Sequence, residues 1–347
     1  MTNSKNNKRV IVAMSGGVDS SVAALLLKNK GYDVRGIFLD FFGNENSVKE
    51  VREISQKIGI SLEIVDASKD FKKKVVDYFL EELESGNTPN PCVVCNKEIK
   101  FRVLFEKMFE LKADYVATGH YARIKRITNY ESRIMNFILF EAKDKNKDQS
   151  YFLYRLNQKE LSKILFPLGN YTKPEVRKMA KKFGLPVYDK KESQDICFIS
   201  EKGYEKFLKK MLKLRKGKIC DLEDNILGTH AGLPFYTIGQ RKGIKIGGRG
   251  PFYVTRKDFS KNRLIVGEEK DLFSQKMKLK NINWIGKTPK FPAKTLVRTR
   301  YRNSLVNAII SKDNNVVFEN PQRAIAPGQS AVFYSGKGEV LGGGVIG

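Results

Sequence analysis

The sequence predicts an α/β fold, a parallel sheet covered by helices on both faces, followed by smaller β modules that end in a barrel. Three observations carry this. From Arg9 to Thr118, apolar runs of strand length alternate with helix-length segments, the pattern of a sheet whose crossovers are helices. From about Lys218 the texture changes to glycine-rich turns between short alternating strands, as in "GTHAGLPFYTIGQRKGIKIGGRGPFYV" and "NVVFENPQRAIAPGQSAVFY". The 347 residues, 41% hydrophobic and 29% charged, are enough for two or three domains with a sizeable main core.

The elements follow in order. Arg9 to Met14 is a short β-branched run bounded by charge and by a glycine pair, which reads as a buried strand. Val22 to Leu27 belongs to a helix, with Gly31 at its left-handed C-terminal cap. Asp33 to Phe41 reads as a second strand. Ser47 then caps a helix whose Val48, Val51, Ile54 and Ile58 form one stripe ending at Gly59, and Leu62 to Val65 is a third strand. A helix from Asp70 to Leu83, the loop "ESGNTPNP", a helical stretch through Phe109 and a strand at Tyr115 to Thr118 lead to Gly119-His120. Further on, "NYTKPEVRKMAKKFGLP" holds a capping box from Thr172 to Glu175, Pro174 in the first turn, Gly184 at the C-terminal cap and Pro186 beyond.

In such sheets ligands lie beyond the carboxyl ends of the strands, where Ser15 to Asp19, Leu39 to Phe42 and Gly119-His120 would converge. Gly16 and Gly17 permit a sharp turn, and the amides of Val18, Asp19, Ser20 and Ser21 fall at a helix start that attracts anions. A tight connection capped by Ser or Asp is the plainer alternative. Neither GxxxxGK[ST] nor GxGxxG is present at this turn. The stretch from Ser15 to Ser20 instead resembles SGGxDS, the pyrophosphate loop of enzymes that split ATP between its α and β phosphates and adenylylate a carbonyl or carboxylate oxygen. His120 is read either as an active-site residue or as a satisfied structural histidine.

Composition narrows the setting. A net charge of +26, dense from Arg177 to Lys191 and from Lys206 to Lys218, points to a polyanionic partner, although a lysine-rich proteome raises charge without any such role. No apolar run reaches the roughly 18 residues of a membrane span, and the polar start lacks a signal peptide's apolar stretch, so the expected address is cytoplasmic with no membrane partner. Four cysteines are too few for a disulfide scaffold. Cys92 and Cys95 form a CxxC with no second pair or nearby histidine to complete an ordinary zinc site, and Cys220 is read as a buried apolar thiol.

Together, SGGVDSS, "TPNP" followed by "CNKEIKF", "ADYVATGHYAR", "KDQSYFLYRL", "ICFI", "GQRKGIKIGG" and "APGQSAVFY" resemble the bacterial tRNA-specific 2-thiouridylases of the MnmA type, from the first strand almost to the C-terminus. The resemblance implies an adenine-nucleotide α-hydrolase-like (PP-loop) domain over residues 1–204, a small central domain over 205–270 and a C-terminal β-barrel over 271–347 that contacts tRNA. It implies ATP and Mg²⁺ as cofactors, tRNA with its wobble uridine as substrate, and a persulfide relay protein as sulfur donor. Adenylylation of uracil O2 and sulfur attack at C2 would give 2-thiouridine. On the matching positions, Ala13, Met14, Ser15, Gly16, Gly17, Val18, Asp19 and Ser20 would grip the ATP phosphates, with Leu39 and Gly119 near the nucleotide and Asp19 essential to catalysis. Cys197 would carry the persulfide, and Cys95 would release its sulfur, leaving a disulfide pair to be reduced. Asn90, Pro91 and Cys92 would lie by the target base. Lys147, Asp148, Gln149, Arg300 and Tyr301 would touch tRNA, and "RTRYR" independently mixes guanidinium groups with an aromatic ring suited to phosphate and base.

Two departures from the family pattern stand out. The acidic segment after the second strand is shortened to "DFFGNENS", and the family's aspartate in "NPD" is Cys92. If Cys92, Cys95 and Cys197 converge, three soft thiolates match a [4Fe–4S] cluster with one open iron, an alternative to persulfide chemistry. Two further alternatives are another pyrophosphate-loop ligase, which needs no cysteine pair, and a tRNA-binding protein without catalysis, against which the intact Gly16, Gly17, Asp19 and Ser20 argue.

Overall fold

A computed structural model describes residues 8–128, 135–190, 196–199, 203–244, 246–247 and 250–347. Lys191, the "ESQD" half of "ESQDICFI", and Lys245 and Gly248 of "GQRKGIKIGG" lie outside the described residues. Five parallel strands form the first sheet in the order β3-β2-β1-β4-β7: β1 Arg9–Met14, β2 Asp33–Asp40, β3 Ser61–Asp66, β4 Tyr115–Ala117 and β7 Ile164–Leu165. Strand alternation divides β1 between two cores. Val10, Val12 and Met14 pack with α1 (Val18–Asn29), α2 (Glu45–Ile58) and α8 (Lys173–Lys182), while Ile11 packs on the other face with α6 (Arg102–Glu110). Both faces are dry, which is why this strand reads as continuously apolar.

Helix boundaries follow the glycines and caps. Gly31, Gly59 and Gly184 adopt the left-handed conformation expected after α1, α2 and α8. The cap of α2 differs from expectation: Asn44 accepts the Ser47 amide at 3.2 Å, so Ser47 lies inside the first turn and Asn44 is the capping residue. A local Asn and a local Ser compete for that place, and Asn44 has the extended backbone that a cap requires. The helix expected over Asp70 to Leu83 is longer: α3 (Ser68–Phe71) passes through a π-turn at Lys72–Asp77 into α4 (Tyr78–Glu84). The next passes likewise from α5 (Pro91–Cys95) through a π-turn at Asn96–Phe101 into α6. Such turns occur frequently at functional sites.

A hairpin of β5 (Arg123–Thr128) and β6 (Met135–Phe140) and the short helix α7 (Gln158–Leu161) precede β7. After α9 (Tyr204–Met211), β8 (Gly217–Cys220), β9 (Ile226–His230), β10 (Tyr253–Asp258) and β11 (Arg263–Gly267) make a four-stranded sheet in the order β10-β11-β8-β9. The expected barrel is closed by six strands, β12 Phe273–Trp284, β13 Ala293–Arg298, β14 Val306–Ile310, β15 Asn315–Arg323, β16 Ser330–Tyr334 and β17 Val340–Ile346, around Val297, Phe318 and Phe333. Val332, Tyr334 and Val340 of the barrel join the second core of the parallel-sheet domain, so these two domains share one packed interior. Among the described residues no helix is long and apolar enough to cross a membrane.

Candidate active site

The loop between β1 and α1 is shaped by its own side chains. Gly16 takes φ +69°, and Gly17 is the extended cap residue of α1. The Ser20 hydroxyl accepts the Ser15 amide at 3.1 Å and lies 3.1 Å from the Gly17 carbonyl, to which the Ser21 hydroxyl donates at 2.8 Å. Both hydroxyls are buried and hold the turn, leaving the first-turn amides of Val18, Asp19 and Ser20 without intrahelical acceptors and open to an anion. Gly119, just beyond β4, closes against this loop: a Cβ there would stand 2.8 Å from Asp19 C and Ser20 N, so only glycine fits. Leu39 is buried at the end of β2, Ala13 is half-buried behind the loop, and the Met14 side chain lies in the core.

Two residues that sequence reasoning missed complete this corner. Lys173 Nζ lies 2.8 Å from both carboxylate oxygens of Asp19, and the Tyr121 hydroxyl donates to Asp19 Oδ1 at 2.8 Å. The Lys173 side chain is only 7% exposed and sits in the first turn of α8, where the helix dipole disfavours a cation. A buried cation in so unfavourable a place, aimed at a phosphate-type loop, is suited to an anionic ligand. The "TKPE" capping box marked the start of α8 and therefore this position, but nothing local marked its partner. Lys190 adds a second cation at the rim, 2.6 Å from Glu50 and 3.4 Å from the Gly16 carbonyl.

Three of the four cysteines form a second group, apart from this loop. Asn90 precedes α5, which begins at Pro91, exposes Cys92 and ends on Cys95, 6% exposed among Phe71, Val75 and Ile99. Phe198 packs edge-on to Phe71 and Phe79 at 5.8 and 5.4 Å, and this anchor brings the adjacent, exposed Cys197 to the same place. Burial pushes the Cys95 thiol up to about 11, against the pull of Lys100, and the neighbouring Cys197 and Cys92 raise it further. Cys92 and Cys197 keep an exposed edge, but the protein packed around their sulfurs thins the surrounding water and raises both thiols as well, again against Lys100. All four cysteines are free, the reduced state that precedes the oxidised Cys95–Cys197 pair expected from turnover; Cys220 is buried in β8. Among the described residues no three His, Cys, Asp or Glu side chains come together as a metal-binding group. Cys92, Cys95 and Cys197 are neighbours, close enough for the charge of one to bear on another, but they are not such a group. His120 lies between: Thr118 Oγ1 is 2.7 Å from its Nδ1, its ring stacks on Phe101 at 6.1 Å, and burial first, then Lys100, bring it down to about 3, so it is neutral.

The candidate tRNA residues divide. Arg300 is exposed, and Tyr301 packs on Phe152 at 4.6 Å, which joins the Lys147–Phe152 segment and the Arg300–Arg302 turn into one surface. Lys147 and Gln149 are partly exposed on it, with the Gln149 side chain accepting the Tyr121 amide at 3.0 Å. Asp148 departs from expectation. It is 3% exposed, accepts the Ala142 amide at 2.9 Å and the Ser150 hydroxyl at 2.9 Å, and lies 3.5 Å from Arg298 of the barrel. Its carboxylate is a structural link between domains, because a buried charge is tolerated only when paired.

Family models match the chain end to end: a tRNA methyl transferase HUP domain over residues 8–201, a tRNA methyl transferase PRC-barrel domain over 205–268 and an aminomethyltransferase beta-barrel domain over 274–346. Curated relatives described as tRNA-specific 2-thiouridylase MnmA include proteins from Halothermothrix orenii, 44% identical over 97% of this chain and 98% of the relative. Others come from Streptococcus sanguinis, 45% identical over 99% and 96%, and Geobacillus thermodenitrificans, 43% identical over 100% and 96%. With the phosphate-type loop, the paired domains and the facing cysteines already in place, this likeness over full length is decisive: the chain belongs to the tRNA-specific 2-thiouridylase family.

Proposed function

We propose that this chain converts the wobble uridine of tRNA to 2-thiouridine in an ATP-dependent reaction, with the catalytic machinery in residues 1–204, a central domain over 205–270 and tRNA contact from the barrel over 271–347. One observation carries the reading: a loop of unpaired amides with a buried Lys173 faces the end of the same sheet that holds a buried Cys95 beside an exposed Cys197. Ala13 to Ser20, Leu39 and Gly119 seat the nucleotide, and Lys173 meets its phosphates. Asp19, a hard carboxylate at that seat, is the residue that would hold Mg²⁺, which neutralises phosphate charge when bound. Uracil O2 attacks the α-phosphorus and pyrophosphate leaves, so that O2 becomes part of an AMP leaving group.

Exposure divides the sulfur work. Cys197 is reachable by a donor protein and accepts its sulfane sulfur as a persulfide. The Cys95 thiolate attacks Cys197 Sγ, the S–S bond of the persulfide breaks, and hydrosulfide departs while Cys95 and Cys197 become a disulfide. Hydrosulfide then attacks C2, AMP leaves, and an external thiol reductant restores both cysteines. Because the Cys95 thiol sits near 11, its proton must pass to a base as the donor or substrate closes on the site. A reducing cytoplasm suits the four free thiols. Asn90, Pro91 and Cys92 face the base, and Lys147, Gln149, Arg300 and Tyr301 face the tRNA backbone.

The test is reconstitution: full-length protein, ATP with Mg²⁺, unmodified tRNA and a persulfide-charged donor, followed by mass analysis of nucleosides. The expected products are 2-thiouridine, AMP and pyrophosphate, all lost in Cys95→Ser and Cys197→Ser. AMP formation with no sulfur in the tRNA under any donor would overturn the reading in favour of another pyrophosphate-loop ligase.

A further inference from the structure

The stretch "TPNP" that leads into α5 cannot fold on its own. Pro89 and Pro91 have no amide hydrogen, and a residue before proline is held extended, so Thr88 to Pro91 has few ways to satisfy its own carbonyls. The structure supplies partners from a distant part of the chain. The Thr88 amide donates to the Pro327 carbonyl at 2.7 Å, and the Gln329 side-chain amide donates to the Thr88 carbonyl at 2.8 Å and the Pro89 carbonyl at 3.4 Å. Between them, Gly328 has φ +88°, and a Cβ on it would stand 2.8 Å from Asn87 Cβ and 3.0 Å from the Thr88 amide nitrogen.

This turn is itself fixed. The Gly328 amide donates to the Ile346 carbonyl and the Ile346 amide to the Gln329 carbonyl, both at 2.8 Å, which ties it to the end of β17. Ser330, the next residue, accepts the Tyr151 hydroxyl at 2.8 Å, and Tyr151 in turn meets the Asn90 side chain. On the opposite side the Lys257 ammonium approaches the Asn87 carbonyl at 3.5 Å, and Gly86 packs against the Phe259 ring. The loop is therefore held from three sides: Glu82 accepts the Asn87 amide at 2.8 Å and its side-chain amide at 2.9 Å, while the barrel holds Thr88 and Pro89 and the central domain reaches Asn87 through Lys257.

We propose that the Pro327–Gln329 turn of the barrel is a positioning device for the sulfur-transfer step, setting the place of Asn90, Pro91 and Cys92 relative to Cys95. The proposal rests on the reading that Asn90 to Cys92 face the target base. Its consequence is that the barrel, besides contacting tRNA, decides whether the activated C2 and the sulfur nucleophile meet. Gln329 and Gly328 are positioning residues, acting through the Thr88 and Pro89 carbonyls.

Two full-length variants test this. Gly328→Ala removes no polar group and pushes Asn87 and Thr88 away. Gln329→Glu keeps the side-chain volume but replaces the donor with oxygens that face two carbonyls. Each is expected to lower kcat for 2-thiouridine at saturating tRNA by about 10- to 100-fold, the scale of an ångström-sized misplacement, while tRNA Kd and the KM for ATP stay within twofold. Without tRNA, the alkylation rate of the exposed Cys92 should also shift, reporting the loop directly. Unchanged kcat in Gln329→Glu overturns the proposal, as does a loss confined to tRNA Kd, which would make Gln329 a tRNA contact. If Gly328→Ala does not fold, Gln329→Glu decides alone. Failure of the wild-type protein to form 2-thiouridine would instead overturn the functional reading on which this one stands.

Discussion

Replacing Lys173 with methionine removes a charge while keeping most of the volume, and its two consequences differ in size. The ion pair to Asp19 is two-pronged at 2.8 Å, with side-chain exposures of 7% and 33%. Breaking a fully buried pair costs about 3–5 kcal/mol because the abandoned charge stays dry. Here Asp19 is one-third exposed and keeps the Tyr121 hydroxyl, and withdrawing a cation from the start of α8 returns about 0.3–1 kcal/mol. The net stability loss should be about 1–2 kcal/mol, measured by urea unfolding of the nucleotide-free protein. The functional loss should be larger in effect. A hydrogen bond from an ammonium to a phosphate contributes about 1.5–3 kcal/mol, so kcat/KM for ATP, followed as tRNA-dependent pyrophosphate release, should fall roughly 10- to 150-fold. tRNA affinity should not move, since Lys173 is buried under the loop. An unchanged kcat/KM for ATP, or an equal fall in tRNA affinity, would refute the phosphate role.

Three further outcomes follow from the geometry. Gly119→Ala forces a Cβ to 2.8 Å from the Asp19–Ser20 backbone, so the KM for ATP should rise at least tenfold with tRNA binding intact; normal ATP kinetics would show that the loop does not seat the nucleotide. Arg300→Ala should reduce the slope of log tRNA affinity against log salt by about 0.7–0.9, and an unchanged slope would remove Arg300 from the phosphate contacts. Burial lowers Lys257 from 10.5 to about 8, so the folded chain binds fewer protons than the unfolded one between those values and stability rises with pH across that window. The penalty, about 3 kcal/mol, is fully present at pH 7, and Lys257→Met should recover about 2 kcal/mol there after losing the Asn87 contact, with little gain at pH 10.5. Equal effects at both pH values would contradict the burial argument.

The parts that short-range physics governs are legible in the residues alone. The β1–Gly16–Gly17–α1 turn, the left-handed glycines after α1, α2 and α8, the capping box at Thr172 and the change to β texture near Lys218 are set by backbone torsions and by periodicity over a few residues. Even there, Asn44 took the cap assigned to Ser47, because two good capping residues three apart differ only in which one the chain holds extended. Family motifs extended this reading to Cys95, Cys197 and the nucleotide seat, without saying how the residues meet. Tertiary structure alone decided that Lys173 pairs with Asp19 across 154 positions, that Gln329 holds Thr88 across 241, and that Phe198 brings Cys197 to Cys95. It also took Asp148 out of the candidate tRNA surface and gave it to Arg298. The reason is common to all of these. Which buried charge finds which partner depends on the faces that sheet, central domain and barrel bury against one another, and no local pattern of residues encodes that choice.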